Sequence, residues 1–226
     1  MSAISYYHKL SGLKDPADTF IVHKLLQGAR KLSPASDTRL PITKDILIRL
    51  INSVNFITSL PYHQALLSSM FSLAFYGFLR VGEITGYNKN VLSISQVTIT
   101  SDVIYIRFTH FKHHSGPPVT IIVNPASNPC PVALLAQYLS QRGLSPGPLF
   151  VFPGQKYLSR SYFTSMLRSA LTFIGLDPAH YKSHSFRIGA ATHAALLGLS
   201  DPEIQALGRW KSGAFKKYIR LPTVSF

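Results

Sequence analysis

Cysteine is almost missing from this chain: Cys130 is the only one in 226 residues. No disulfide framework and no four-cysteine zinc site can form within one chain. Cys130 stands between Pro129 and Pro131 and reads as packing. Acidic residues are scarce as well, nine Asp and Glu against 23 Lys and Arg. Long hydrophobic runs are absent. The longest uncharged apolar stretch, Ala65–Leu79, has 15 residues, short of the roughly 20 that span a bilayer, so no membrane span is expected. Met1–Leu10 carries Tyr6, Tyr7, His8 and Lys9 where a signal peptide would be apolar. There is no phosphate-cradling glycine loop, no H-E-x-x-H and no G-x-S-x-G. These absences exclude the commonest nucleotide-hydrolase, zinc-protease and α/β-hydrolase signatures, and no nucleotide cofactor is expected. His110, His113 and His114 cluster without a nearby carboxylate or thiolate, so no metal is expected there.

What is present is positive charge, net +14 in a chain whose charged residues make up only 14% of the total. Such a field calls for a polyanionic partner, nucleic acid or an acidic membrane surface; the alternative is a merely basic surface. From Lys156 onward ten cations face three acids, the densest surplus in the chain. The C-terminal third is therefore the expected contact face.

The hydrophobic pattern predicts an α+β protein, mainly α-helical, with a small three-stranded antiparallel sheet. Phe20, Ile21, Leu25 and Leu26 suggest one amphipathic helix ending near Gly28–Lys31, and Ser33–Asp37 reads as a linker. Residues 1–40 are too few for a core of their own and are either an arm on the main domain or the tail of a domain missing here; residues 41–226 form the main domain. Thr43 caps a helix over 44–57. Pro61 opens the next, apolar nearly all round and expected to run to Arg80 or beyond, delivering Arg80 and Glu83 at its C-terminal end. VTIT, VIYIRF and PVTIIV read as three strands, with Lys112 in the second turn. Pro131 opens a helix to about Gln141, and Phe150–Phe152 reads as a short strand. Helical spacing then covers 161–174, and about 185–198, 201–208 and 212–219.

The chemistry-bearing candidates are few. His184 and Arg187 are three apart and share a helix face, and Arg187 offers a planar fork to two phosphate oxygens. A helix-start histidine beside a surface arginine is the plainer reading. Arg80 follows an uncharged run and needs a partner, which Glu83 three residues on supplies. Lys112 at a hairpin tip is otherwise a solvated cation. Trp210, the only Trp, offers an indole N–H or simple packing. Tyr218 sits in FKKYIR, where cations favour phenolate. Lys216 and Lys217 beside it would attract a phosphate backbone.

In this order the residues resemble the catalytic domain of the tyrosine recombinase (phage integrase) family: Arg80 in FLRVGEITG, Lys112 in the hairpin, His184 and Arg187 in HSFR, Trp210 in GRW, Tyr218 in KKYIR. RIGAATHAA and LGRWKSGAFKKYIR look most like recombinases of eukaryotic DIRS-type and Crypton mobile elements. The resemblance covers about residues 40–220. The arm at 1–40 is similar to the end of the family's core-binding domain, most of which is absent. Only eight residues follow Tyr218, where many relatives carry a further helix that docks on a neighbouring protomer.

The resemblance implies double-stranded DNA as partner, self-association on it as dimer or tetramer, and a nuclear location if the source is eukaryotic, otherwise cytoplasmic. It implies that Tyr218 attacks a phosphodiester to form a 3′-phosphotyrosyl link. Arg80, Arg187, His184 and Trp210 hold the non-bridging oxygens, Lys112 protonates the departing 5′-oxygen, and Glu83 orients Arg80. Arg209 and Lys211 are expected to join Lys216 and Lys217 in facing DNA. No cofactor or metal is implied, since the arginines supply the positive charge. All but Tyr218 are expected to line one basic cleft, with the Tyr218 segment displaced from it. The competing readings are a domesticated DNA-binding relic, a type IB topoisomerase-like nicking-closing enzyme, and a basic RNA-binding protein, which lacks any aromatic RNA-binding motif here.

Overall fold

Eleven successive residues of one helix, Ala65 to Phe75, are buried, and the rest of the main unit packs around them. The structure, a computed structural model, describes residues 3–32, 37–111 and 116–220, with the side chains of 30–32 left out. The chain divides into two compact units, Met1–Thr38 and Arg39–Phe226.

The first unit holds α1 (Ala3–Leu10), a 3-10 turn (Pro16–Asp18) and α2 (Phe20–Leu32). Asp15 organises its loop. One carboxylate oxygen accepts the Ser5 hydroxyl and pairs with Lys9 at 3.3 Å, and the other accepts the Ala17 amide at 2.9 Å.

The second unit begins with α3 (Lys44–Ile57), where the Thr43 hydroxyl accepts the Ile46 amide at 3.3 Å. Pro61 then starts α4 (Pro61–Tyr76), its missing N–H harmless at a first turn. The helix packs against α3, α6 (Pro131–Arg142) and α8 (Ser185–Leu196), which explains why it is apolar on every face.

The expected run of α4 to Arg80 does not occur. Gly77 caps the helix and Phe78 adopts a left-handed backbone, φ 49. Arg80 instead caps the next, four-residue helix, α5 (Val81–Ile84). The break turns the Gly77 and Phe78 carbonyls away from helical bonding and leaves them as acceptors for distant side chains.

Strands β1 (Val97–Ile99), β2 (Ile104–Phe108) and β3 (Val119–Val123) form the expected antiparallel sheet, order β1-β2-β3, with Val97 opposite Ile106 and Ile104 opposite Val123. Burial alternates along β2, so Ile104, Ile106 and Phe108 face the core. The expected strand near 150–152 is β4 (Val151–Phe152), and it pairs with β5 (Lys156–Tyr157), which the sequence pattern did not indicate. Helices α7 (Arg160–Phe173), α9 (Asp201–Gly208) and a 3-10 helix (Gly213–Tyr218) complete the unit.

Two glycines set close approaches. The strap of residues 40–42 crosses the start of α8, its Ile42 amide bonded to the Ser185 carbonyl at 3.0 Å. A Cβ on Gly189 would lie 1.7 Å from the Ile42 oxygen, so only glycine lets the strap in. A Cβ on Gly208 would meet the Trp210 ring at 1.6 Å, so glycine there lets the indole fold back over the end of α9. Among the described residues, no helix is long and apolar enough to cross a membrane.

Candidate active site

A buried carboxylate stands at the base of the site. Glu83, on α5, is 2% exposed. One of its oxygens takes the Arg80 guanidinium at 2.9 Å. The other takes both the Arg80 backbone amide and the Arg209 guanidinium, each at 2.8 Å. Arg80 remains partly open to solvent, while the Arg209 side chain is buried. The Arg209 guanidinium also sits over the Phe108 ring, 3.7 Å from its centroid, and reaches the Phe78 carbonyl at 3.3 Å.

This corrects the expectation that Arg209 faces DNA with its basic neighbours. It is a buried strut joining α5 to the loop after α9. Its left-handed backbone, φ 54, turns the chain inward at that point. Burial lowers the pKa of its guanidinium to about 10 against the raising effect of Glu83. Lys211, Lys216 and Lys217 do lie exposed, with Lys216 paired to Asp201 at 3.0 Å.

Arg187 sits beside this pair, 1% exposed. It donates from one terminal nitrogen to the Phe78 carbonyl and from the other to the Gly208 carbonyl at 2.8 Å. Its guanidinium packs on Trp210 at 4.4 Å and on Tyr218 at 5.8 Å from the ring centroids. Burial depresses its pKa, and the nearby charges of Arg80 and Arg209 push the same way. Three guanidiniums around one carboxylate leave a local surplus of positive charge that an anion would relieve.

His184 lies at the start of α8, and its ring stacks with that of Tyr218 at 6.2 Å between centroids. Burial lowers its pKa to about 4, helped by the charges of Arg39, Arg187, Arg160 and Arg80. It is therefore neutral at physiological pH and able to accept a proton. Arg39 and Arg160 were not singled out from the sequence. Nothing local marks them, since their proximity to His184 comes from the strap and from the start of α7.

Tyr218 is docked, contrary to the expectation of a displaced segment. Its ring is 5.1 Å from Trp210, its carbonyl accepts from Thr192 at 3.3 Å, and the next bond, Arg220 amide to Thr192 hydroxyl, is 2.9 Å. Phe215, buried beneath Trp210, anchors the same short helix. Arg80, Glu83, His184, Arg187, Trp210 and Tyr218 thus converge. Lys112, His113 and His114 lie outside the described residues. Among those described, no group of three His, Cys, Asp or Glu could hold a metal ion.

Two outcomes follow from the burial pattern. Arg209→Ala strips a buried carboxylate of one partner and should cost about 3–5 kcal/mol of stability in urea unfolding, whereas Lys217→Ala should change it by less than about 0.5 kcal/mol. His184, with a folded pKa near 4 against about 6.5 unfolded, binds protons more readily in the unfolded chain. Its contribution is complete above the unfolded value and is lost as pH falls towards 4. The stability gap between wild type and His184→Asn, from unfolding midpoints at pH 7 and pH 5, should therefore move against the wild type at the lower pH.

The phage integrase family profile matches residues 42–221. No curated protein matches the sequence. Among solved structures, the fold is shared with XerA recombinase (TM-score 0.61, 20% identity, 96% of this chain and 76% of that one). It is shared with XerH site-specific recombinase bound to difH substrate in a pre-cleavage complex (TM-score 0.62, 18% identity, 80% of this chain and 50% of that one). It is also shared with the Tn1549 transposon integrase in complex with circular intermediate DNA (TM-score 0.58, 12% identity, 96% and 71%). The chain thus spans half the length of the XerH chain. With the family profile covering most of its length, this chain belongs to the phage integrase family, the tyrosine recombinases that cleave and rejoin DNA, and carries that family's catalytic domain.

Proposed function

We propose that Tyr218 is the nucleophile of this domain and that the cluster of Arg80, Arg187, His184 and Trp210 receives the scissile phosphate. The observation that carries the proposal is the charge surplus of three guanidiniums around the single Glu83 carboxylate, with Tyr218 packed over Arg187. A phosphodiester is shielded from attack by its own negative charge. Guanidinium and indole N–H donors neutralise that charge and gain strength as it builds in the transition state. The neutral imidazole of His184 accepts the tyrosine proton as the phenolic oxygen bonds to phosphorus. The P–O5′ bond breaks and Lys112 protonates the departing oxygen, leaving a 3′-phosphotyrosyl link and a free 5′-hydroxyl. The covalent link conserves the ester bond, so another strand's 5′-hydroxyl can reverse the step and rejoin DNA.

Glu83 does not touch the phosphate in this scheme; it positions Arg80. Lys211, Lys216 and Lys217 provide phosphate-backbone contacts. Double-stranded DNA is the substrate, on which copies assemble as dimer or tetramer. The wording of the RIGAATHAA and GRWKSGAFKKYIR segments supports an origin in a eukaryotic DIRS-type or Crypton element, and with it a nuclear location. Residues 1–40 act as the end of a core-binding arm, and 41–226 as the catalytic domain.

The test is a suicide DNA substrate, nicked beside the cleavage position and drawn from the parent element's ends. Wild type should form a covalent adduct resistant to denaturant, Tyr218→Phe none, and Trp210→Ala should form it about 10²–10³ times more slowly. Tight binding with no adduct from wild type would assign the chain to the DNA-binding relics instead.

A further inference from the structure

Two tyrosines outside the site are stacked on each other in solvent. Tyr87 is 74% exposed and Tyr157 50%, yet their rings lie 4.4 Å apart at 29° between planes. Large aromatics left open in this way contribute nothing to the core, and a stacked, exposed pair presents a flat π surface to the outside.

The pair is held in place from both sides. Tyr87 follows α5, three residues after Ile84, and the Gly86 amide donates to the Leu158 carbonyl at 2.7 Å. That bond ties the loop after α5 to the residue beside Tyr157. Tyr157 itself is registered against Val151 in the β4–β5 pair. Beyond Tyr87, the Asn88 carboxamide accepts the Asn90 amide at 2.9 Å and closes the turn. A surface fixed before binding loses little conformational freedom when a ligand arrives.

Its position relates it to the active site. The loop carrying Tyr87 is continuous with α5, which holds Arg80 and Glu83. Tyr157 precedes Arg160 by three residues, a reach of roughly 10 Å at most, and Arg160 lies close enough to His184 to depress its pKa. The surroundings are of one sign. Lys89, Lys156 and Arg160 are exposed, no acid occurs in 85–93 or 153–160, and among the described residues none of the three cations makes an ion pair.

An aromatic face framed by cations is the chemistry that binds unpaired nucleobases: the rings stack on the base and the cations follow the backbone. We infer that the Tyr87–Tyr157 stack is a platform for a base that becomes unpaired beside the scissile phosphate. The inference rests on the strand-cleavage reading above. After cleavage, the strand ending in the free 5′-hydroxyl has to leave its complement before it can join another end, and the platform holds the exposed base during that interval.

The test compares two probes with the full chain: a paired duplex, and the same duplex with a short single-stranded gap carrying 2-aminopurine. Wild type should quench the gap fluorophore and favour the gapped probe. Tyr87→Ala and Tyr157→Ala should each lose about tenfold in affinity for the gapped DNA and less than about twofold for the duplex. Tyr87→Phe should retain the preference, because the ring and not the hydroxyl stacks. Circular dichroism melts control for folding, and both positions are exposed. Equal losses on both probes, or no loss, would overturn the inference, while adduct formation on the suicide substrate would still stand as a separate test of the strand-cleavage reading. A change in self-association without DNA would assign the stack to a contact between copies and overturn it as well. Failure of wild type to bind either probe would remove the DNA reading together with the inference.

Discussion

The site depends on one buried carboxylate. Glu83 holds Arg80 at the mouth and Arg209 in the interior with the same two oxygens, and so joins the loop after α4 to the loop after α9. A lone carboxylate this deep would be strongly disfavoured in its charged form, and so would a lone buried guanidinium. Together they satisfy each other, and the extra guanidinium of Arg187 supplies charge that the protein itself does not balance. Binding of an anion is therefore built into the electrostatics before any substrate is present.

The same junction explains the shape of the surrounding backbone. A straight continuation of α4 would have used the Gly77 and Phe78 carbonyls in helical bonds. The left-handed turn at Phe78 releases them, and Arg187 and Arg209 take them up. The strain of a non-glycine residue in that region is offset by acceptor bonds to two buried arginines. Trp210 then closes over Arg187 because Gly208 leaves room for its ring, and Phe215 fixes the segment that brings Tyr218 to the cluster.

Much of this was legible in the sequence. The Thr43 cap, the proline starts of α4 and α6, and the three alternating strands each follow from local chemistry that the fold respects. The apolar body of α4 was readable because burial on every face leaves no polar stripe. Helical spacing places His184 and Arg187 on one face, but Arg187 is not the surface arginine of the plainer reading: it is buried against the Phe78 and Gly208 carbonyls, which no local signal records. What stayed hidden was settled by partners far along the chain. Arg209 looks like any cation in GRWKSG, and only Glu83, 126 positions earlier, makes it a buried strut. The end of α4 was hidden for the same reason: the bonds that stabilise the Phe78 turn come from 109 and 131 positions away. The docking of Tyr218 depends on Thr192, Trp210 and Phe215 jointly, and no periodicity in KKYIR records that.

If Glu83 serves chemistry by holding Arg80, the two residues act as one unit. A double-mutant cycle on the single-turnover cleavage rate, with Glu83→Gln and Arg80→Ala singly and together, reads this directly. Conditions are chosen so that all four proteins remain folded. The account predicts strong non-additivity, with the double variant cleaving about as fast as Arg80→Ala alone. Losses that add to within about 0.5 kcal/mol would mean that Glu83 and Arg80 contribute independently, and would contradict it.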